Sequence, residues 1–317
     1  MRWLQTLVLL CLALLLTAFG CAGAKPVART VPTFDGQRAL DHVKTQCDFG
    51  PRAPGTAGRD ACLRWLKTTL GALTTDVEDQ AFTVNPPAAA ALHGNNVIAS
   101  FAGTGGGTVL MIGAHWDTRP VADEDPTPAN RAQPVLGAND AGSGVAVLLE
   151  LARVFQATPP PRPVKLVCLD LEDLGNLPAT SGLGYQGFCV GSNWLAGHLG
   201  RHRPAEVIIL DMIGDANLAI YQEGYSRVSH PNLVARLWQA ASRLGYTQFR
   251  PQAGLTVTDD HKPFIDQGIP AVDLIDFDYP GPNSNRFWHT LDDTPDKCSA
   301  ASLKAVGQTL LQVVYGG

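Results

Sequence analysis

Val135 to Phe155, reading VLGANDAGSGVAVLLELARVF, is the stretch whose reading decides the fold. Its first half is small and irregular, from Gly137 through Gly144, and its second half, Val145 to Phe155, is a dense apolar run of helix length. A buried helix is therefore expected directly after an acidic loop. Gly142 and Gly144 let the backbone pack closely there, so the Asp140 carboxylate can be held rigidly, as a metal ligand must be. An acid before a helix is ordinarily just a helix-start residue. Asp140 differs because other acids and histidines of this chain fall in similar positions at the ends of apolar runs.

Those runs are VLMIGA (109–114), VKLVCLDL (164–171), EVIILDMI (206–213) and AVDLI (271–275). Each is apolar without alternation, which predicts strands buried on both faces. Helices are expected over 39–47, 59–70, 191–200, 232–244 and 299–314, and a pair of antiparallel strands over 77–84 and 96–101, on either side of the Pro86-Pro87 turn. Buried strands alternating with helices predict an α/β fold: one three-layer αβα domain on a mostly parallel, mixed central sheet.

In such sheets the ligand crevice lies at the carboxyl ends of the strands. VLMIGA leads into His115 and Asp117, VKLVCLDL into Glu172 and Asp173, EVIILDMI carries Asp211, and AVDLI leads towards Trp288-His289-Thr290. Taken singly, His115 has the ordinary reading of a satisfied core histidine, Asp211 of a strand-end acid and Glu172-Asp173 of a solvated turn. Buried together, several like charges cost too much without a cation to balance them. A mixed set of carboxylates and imidazoles suits zinc better than calcium or magnesium. Glu172 beside Asp173 lets one carboxylate bind metal while its neighbour faces the bound group as general base. In Thr258-Asp259-Asp260-His261 a site residue and a helix cap are equally readable, whereas His198, His202 and His230, set among Gly, Arg, Ser and Pro, read as surface histidines.

The 317 residues are 45% hydrophobic and 17% charged with a net charge of −5, a composition that argues against nucleic acid as a partner. Arg2 and the apolar run Leu7 to Phe19 read as an export signal over residues 1–20. Cys21 after LTAFG resembles a bacterial lipoprotein cleavage box, so the expected location is the periplasm or cell envelope with a lipid anchor on Cys21. Residues 21–32 then form a tether and 33–317 the catalytic domain. Beyond Cys11 and Cys21, five cysteines remain; the odd count leaves at least one unpaired, with Cys47 and Cys62 as a candidate pair and Cys168 as a buried strand thiol.

The order HWDT, GANDAGSG, LEDLG, LDMIG, DDHKPF, WHT, with the longer runs AHWDTRPVADEDP and LDMIGDANLAIYQEGYS, resembles the zinc aminopeptidase family that also contains glutaminyl cyclases, and within it the bacterial cyclotransferases. The likeness spans roughly residues 39–314. It implies the zinc aminopeptidase-like (phosphorylase/hydrolase-like) fold, with Asp140, Asp173 and His289 as zinc ligands and Glu172 as general acid/base. His115 and Asp211 match positions that hold a second metal in the peptidases but are present around a single zinc in animal cyclases. Asp259 matches a cyclase acid that pairs with the Asp211 equivalent, and Trp288 would wall the substrate pocket. Asp173 is one methylene shorter than the glutamate usual in this fold. The tryptophan that follows the acid pair in animal cyclases is missing, leaving Phe188 or Tyr185 to supply an aromatic wall.

The implied reaction is conversion of an amino-terminal glutamine of a peptide or protein to pyroglutamate with one zinc. The alternatives are a two-zinc aminopeptidase and a non-catalytic peptide-binding envelope lipoprotein; the intact Glu172 argues against the last.

Overall fold

The computed structural model describes Thr30–Gly316. The expected export signal, Cys21 and most of the expected tether lie outside the described residues. Val31 already packs against the core, and the Pro32 carbonyl accepts from Gln308 Nε2 at 2.9 Å. Among the described residues, no helix is long and apolar enough to cross a membrane.

Six strands form the central sheet: β1 (Val77–Val84), β2 (Leu92–Phe101), β3 (Leu110–His115), β4 (Val164–Leu169), β5 (Glu206–Asp211) and, after a separate pair β6 (Ile220–Gln222) and β7 (Phe249–Ala253), β8 (Ala271–Ile275). The spatial order is β1-β2-β4-β3-β5-β8. β1 and β2 pair antiparallel across the Pro-Pro turn, β2 meets β4 antiparallel, and β4, β3, β5 and β8 run parallel. β6 and β7 escape sequence reading because they are short and β7 carries Pro251; β6 is only three residues long.

Helices α1 (Gly36–Asp48), α2 (Ala57–Gly71), α3 (Gly142–Ala157), α6 (Pro231–Arg243) and α8 (Ala300–Tyr315) cover one face of this sheet; α4 (Val190–Gly197) and α7 (His261–Asp266) cover the other, with α5 (Gly224–Ser229) beside β8. The strand pleat explains why the apolar runs lack alternation: Ile208 and Leu210 enter the first core while Val207 and Ile209 enter the second. α3 buries 13 of its 16 residues, because the sheet lies under it and α1 and α8 over it. α1, α2 and α8 begin at side-chain caps from Asp35, Thr56 and Ser299.

From β3 the chain passes through α3 to β4 on one side, then returns past β3 to β5 on the other. β3 is thus the point where the strand order switches direction, and His115 is its last residue. Two strands are shorter than expected. β4 stops at Leu169 and β5 at Asp211, because Leu171 (φ +57°) and Met212 (φ +50°) turn into the left-handed region. His289 (φ +54°) does the same. Three side-chain-bearing residues in this sparsely populated conformation sit at or next to Glu172, Asp211 and His289.

All five cysteines among the described residues are buried free thiols, so the candidate Cys47–Cys62 disulfide is absent, while Cys168 is the expected strand thiol. His198 is exposed as expected. His202 is buried with Nε2 2.9 Å from Glu78 Oε2, and half-buried His230 lies 2.9 Å from Glu206 Oε2. Their polar neighbours in sequence conceal partners that only the fold supplies.

Candidate metal centre and active-site pocket

The close approach of α3 to the sheet fixes Asp140. A Cβ on Gly144 would fall 2.4 Å from the Leu210 carbonyl oxygen and 2.7 Å from Ala114 Cβ, so only glycine lets the helix start lie against the strand ends. Asp293 holds the loop from the other side, its two oxygens accepting from Asn139 N at 2.9 Å and Asp140 N at 3.1 Å, while Tyr279 Oη donates to it at 2.7 Å.

The two Asp140 oxygens face two different histidines. Oδ1 lies 3.0 Å from His115 Nε2, which is also 3.2 Å from Asp211 Oδ1. Oδ2 lies 4.0 Å from His289 Nε2, which is also 3.1 Å from Asp173 Oδ1. Two donor sets result, Asp140–Asp173–His289 and His115–Asp140–Asp211, each with its ligand atoms within 4.8 Å of one another. Asp140 belongs to both.

Each imidazole also has a carboxylate behind it. Asp123 Oδ1 lies 3.3 Å from His289 Nδ1 and is itself held by Arg119; Asp117 Oδ1 lies 3.6 Å from His115 Nδ1. A carboxylate on the far nitrogen leaves Nε2 to face a ligand and raises its basicity. Asp117 also fixes the acid pair, since its oxygens accept from Glu172 N at 3.0 Å and Asp173 N at 3.1 Å.

These donors fit a metal ion. Asp173 is 1% exposed and neither of its oxygens is in a well-formed hydrogen bond; His289 Nε2 at 3.1 Å and Arg119 Nη1 at 3.6 Å both face Oδ1, which leaves Oδ2 bare, a state that a bound cation relieves. Burial pushes the Asp173 carboxyl above the usual range against the pull of His289, and it pushes Glu172 well above. Although burial opposes it, the surrounding acids push His289 up to about 9 and His115 well above its ordinary value. Opposed in the same way by burial, His115 and His289 hold Asp140 below the carboxylate range. The site demands positive charge, which zinc can supply.

Glu172, Asp173, Asp140 and His289 line one cavity of about 230 Å³ together with Asp211, Asp259, Phe188, Phe277 and Trp288. Trp288 stacks on His289, ring centroids 3.7 Å apart, and Phe277 leans on Trp288 at 5.2 Å. Of the two aromatics offered by the sequence, Phe188 walls the cavity; the Tyr185 hydroxyl is turned away to Asp266 at 2.6 Å. Burial, then the neighbouring Asp259 charge, pushes Asp211 up to about 7. No hydrogen bond joins Asp211 to Asp259 among the described residues; Asp259 instead groups with His261 and Asp273 in a second buried polar cluster, and with Glu172 and Cys189. Asp123, Asp293, Arg119 and Asp273 are site residues that sequence reading missed. Asp123 and Asp293 lie in acidic loops, and Asp273 interrupts an apolar strand, the one local signal available.

Residues 96–314 match the peptidase family M28. Among solved structures, the glutaminyl cyclase of Bacteroides thetaiotaomicron, bound to N-acetylhistamine, is 35% identical with a TM-score of 0.83, over 91% of this chain and 100% of that one. A leucine aminopeptidase precursor from Bacteroides thetaiotaomicron VPI-5482 is also 35% identical with a TM-score of 0.83, over 91% of this chain and 99% of that one. The glutaminyl-peptide cyclotransferase of Drosophila melanogaster is 25% identical over 264 residues, 77% of this chain and 70% of that protein.

Proposed function

The chain belongs to peptidase family M28, and from that premise we propose that it is a zinc-dependent glutaminyl-peptide cyclotransferase, which converts the amino-terminal glutamine of a peptide or protein to pyroglutamate and releases ammonia. The observation that carries this reading is the make-up of the pocket. Glu172, Asp211 and Asp259 all line one cavity of about 230 Å³ rimmed by Phe188, Phe277 and Trp288. That is room for one folded side chain, with acids enough both to hold its amine and to move its proton. Likeness to a solved glutaminyl cyclase over 91% of the chain supports it.

When bound, zinc held by Asp140, Asp173 and His289 supplies a Lewis acid for the glutamine side-chain carbonyl. Glu172 takes a proton from the α-amine as its nitrogen attacks the side-chain carbonyl carbon, and returns it to the amide nitrogen that leaves. One C–N bond forms, one breaks, and ammonia departs with the peptide chain intact. Asp211 and Asp259 hold the amine, and Trp288 presses the side chain back towards it, an orientation effect that substitutes for a second reactant. Burial favours this role for Glu172, since a carboxylate with a raised pKa is a stronger base once ionised.

A two-metal aminopeptidase is the second reading, and the second donor set, His115–Asp140–Asp211 sharing Asp140, is what favours it. Mass spectrometry of a peptide beginning with glutamine, with metal content measured on the same sample, separates the two. The cyclase reading expects loss of ammonia from an intact chain and about one zinc per protein; release of the first residue with about two zinc ions overturns it. Export and anchorage through a lipidated Cys21 belong to the same proposal. Wild-type protein should then partition to membranes and Cys21→Ser protein should not.

A further inference from the structure

Beside the active-site pocket lies a second cavity, of about 340 Å³. The two share a wall, because Val257, Ile275 and Phe277 line both. Tyr221 and the 63% exposed Leu255 add to this apolar lining. Two acids reach the second cavity, Glu223 and Asp278. Glu223 is fully engaged: it accepts from Tyr225 N at 2.8 Å, Ser226 N at 2.7 Å, Ser226 Oγ at 2.6 Å and Val257 N at 3.2 Å. Asp278 is not. Its own N–H donates to Asp276 Oδ1 at 3.1 Å, but its carboxylate has no hydrogen-bond or ion-pair partner among the described residues.

A largely apolar cavity with one unpaired carboxylate in its lining matches a long aliphatic chain with a cationic head. Successive residues lie about 3.8 Å apart, so the residue that follows a glutamine seated in the active-site pocket has the adjoining cavity within reach of its side chain. We infer that this second cavity receives the side chain of the residue that follows the amino-terminal glutamine, and that Asp278 selects lysine or arginine there. The inference rests on the cyclase reading and adds a substrate class to it.

The test is kcat/KM for the amides of Gln-Lys-Ala, Gln-Met-Ala and Gln-Glu-Ala, each rate referred to the same protein's rate on glutaminamide, which has no second residue. For wild-type protein the lysine peptide should exceed the methionine peptide by about three- to fivefold, the size of a partly exposed ion pair. The difference should lie in KM and shrink with added salt. Asp278→Asn should bring the lysine-to-methionine ratio close to one, and Asp278→Lys should favour the glutamate peptide. Because each ratio is internal to one protein, a poorly folded variant cannot imitate the result. Equal rates on all three peptides in wild-type protein, or a lysine preference that survives both substitutions, overturns the inference alone. No ammonia from glutaminamide with wild-type protein overturns the cyclase reading and the inference with it.

Discussion

In the proposed reaction Glu172 is the proton carrier. It sits next to Asp173, yet the two side chains have different surroundings: Asp173 meets His289, while Glu172 faces the pocket with Cys189 Sγ 3.6 Å from its Oε1. Glu172→Gln keeps the shape and removes the proton carrier. Turnover should fall by about two to four orders of magnitude while the zinc content of the purified variant matches wild type. Retained turnover would take the role away from Glu172. The sequence singled out Glu172 and Asp173 because they follow an apolar run and Asp140 because it stands in a glycine-rich loop before one, while the ligand and acid/base roles came with the family resemblance. It could not assign Asp117, Asp123 or Asp293 their positioning roles, since a carboxylate that holds backbone N–H groups or the far side of an imidazole carries no spacing signal.

At the scale of elements, the site depends on how closely α3 approaches the ends of β3 and β5. Gly144→Ala drives a methyl into the Leu210 carbonyl and Ala114, so it should cost about 1–3 kcal/mol of stability. It should also weaken zinc binding, because the same shift moves Asp140; denaturant unfolding and zinc titration check the two effects. A second element contact lies far from the pocket. Glu206, at the start of β5, pairs with Arg162, with Arg236 Nη2 at 2.7 Å and with His230 Nε2 at 2.9 Å, tying the sheet to α6. Burial opposes ionisation of this carboxyl, but His230, Arg162 and Arg236 outweigh it and hold its pKa below the usual value. The folded-state pKa is thus below the unfolded one. Its stabilisation is present above the unfolded value, about 4.3, and is lost as pH falls through the folded value. Glu206→Gln should therefore cost about 2 kcal/mol at pH 7 and progressively less in acid. Equal losses in denaturant unfolding at pH 7 and pH 3 would contradict this.

For the molecule as a whole, the crowding of Asp140, Asp173, Asp211 and Glu172 around two imidazoles is a store of repulsion that a bound cation relieves. Stability should accordingly follow zinc. Chelation should lower Tm by about 5 °C relative to protein in zinc at a hundredfold excess over Kd, and added zinc should restore it. Calorimetry with and without chelator measures this, and an unchanged Tm would mean that the site tolerates its own charge. The coupling runs through the fold, since Asp140 hangs on α3, His115 on β3, Asp211 on β5, and His289 on the loop that leads to α8.

The sequence by itself determined the six strands of the central sheet and most of the helices in chain order, the burial of the parallel strands on both faces and the crevice at their carboxyl ends, with Asp140, Asp173, Glu172, Asp211, His115 and His289 gathered there. Those features are local: hydrophobic runs, glycines and the residues that end each run. Tertiary structure alone decided that Asp140 bridges two donor sets, that Phe188 and not Tyr185 walls the pocket, that His202 is buried against Glu78, and that Asp278 stands unpaired beside the active site. These are matters of a few ångströms between residues far apart in the chain, and such distances are set by packing rather than by any pattern within a segment.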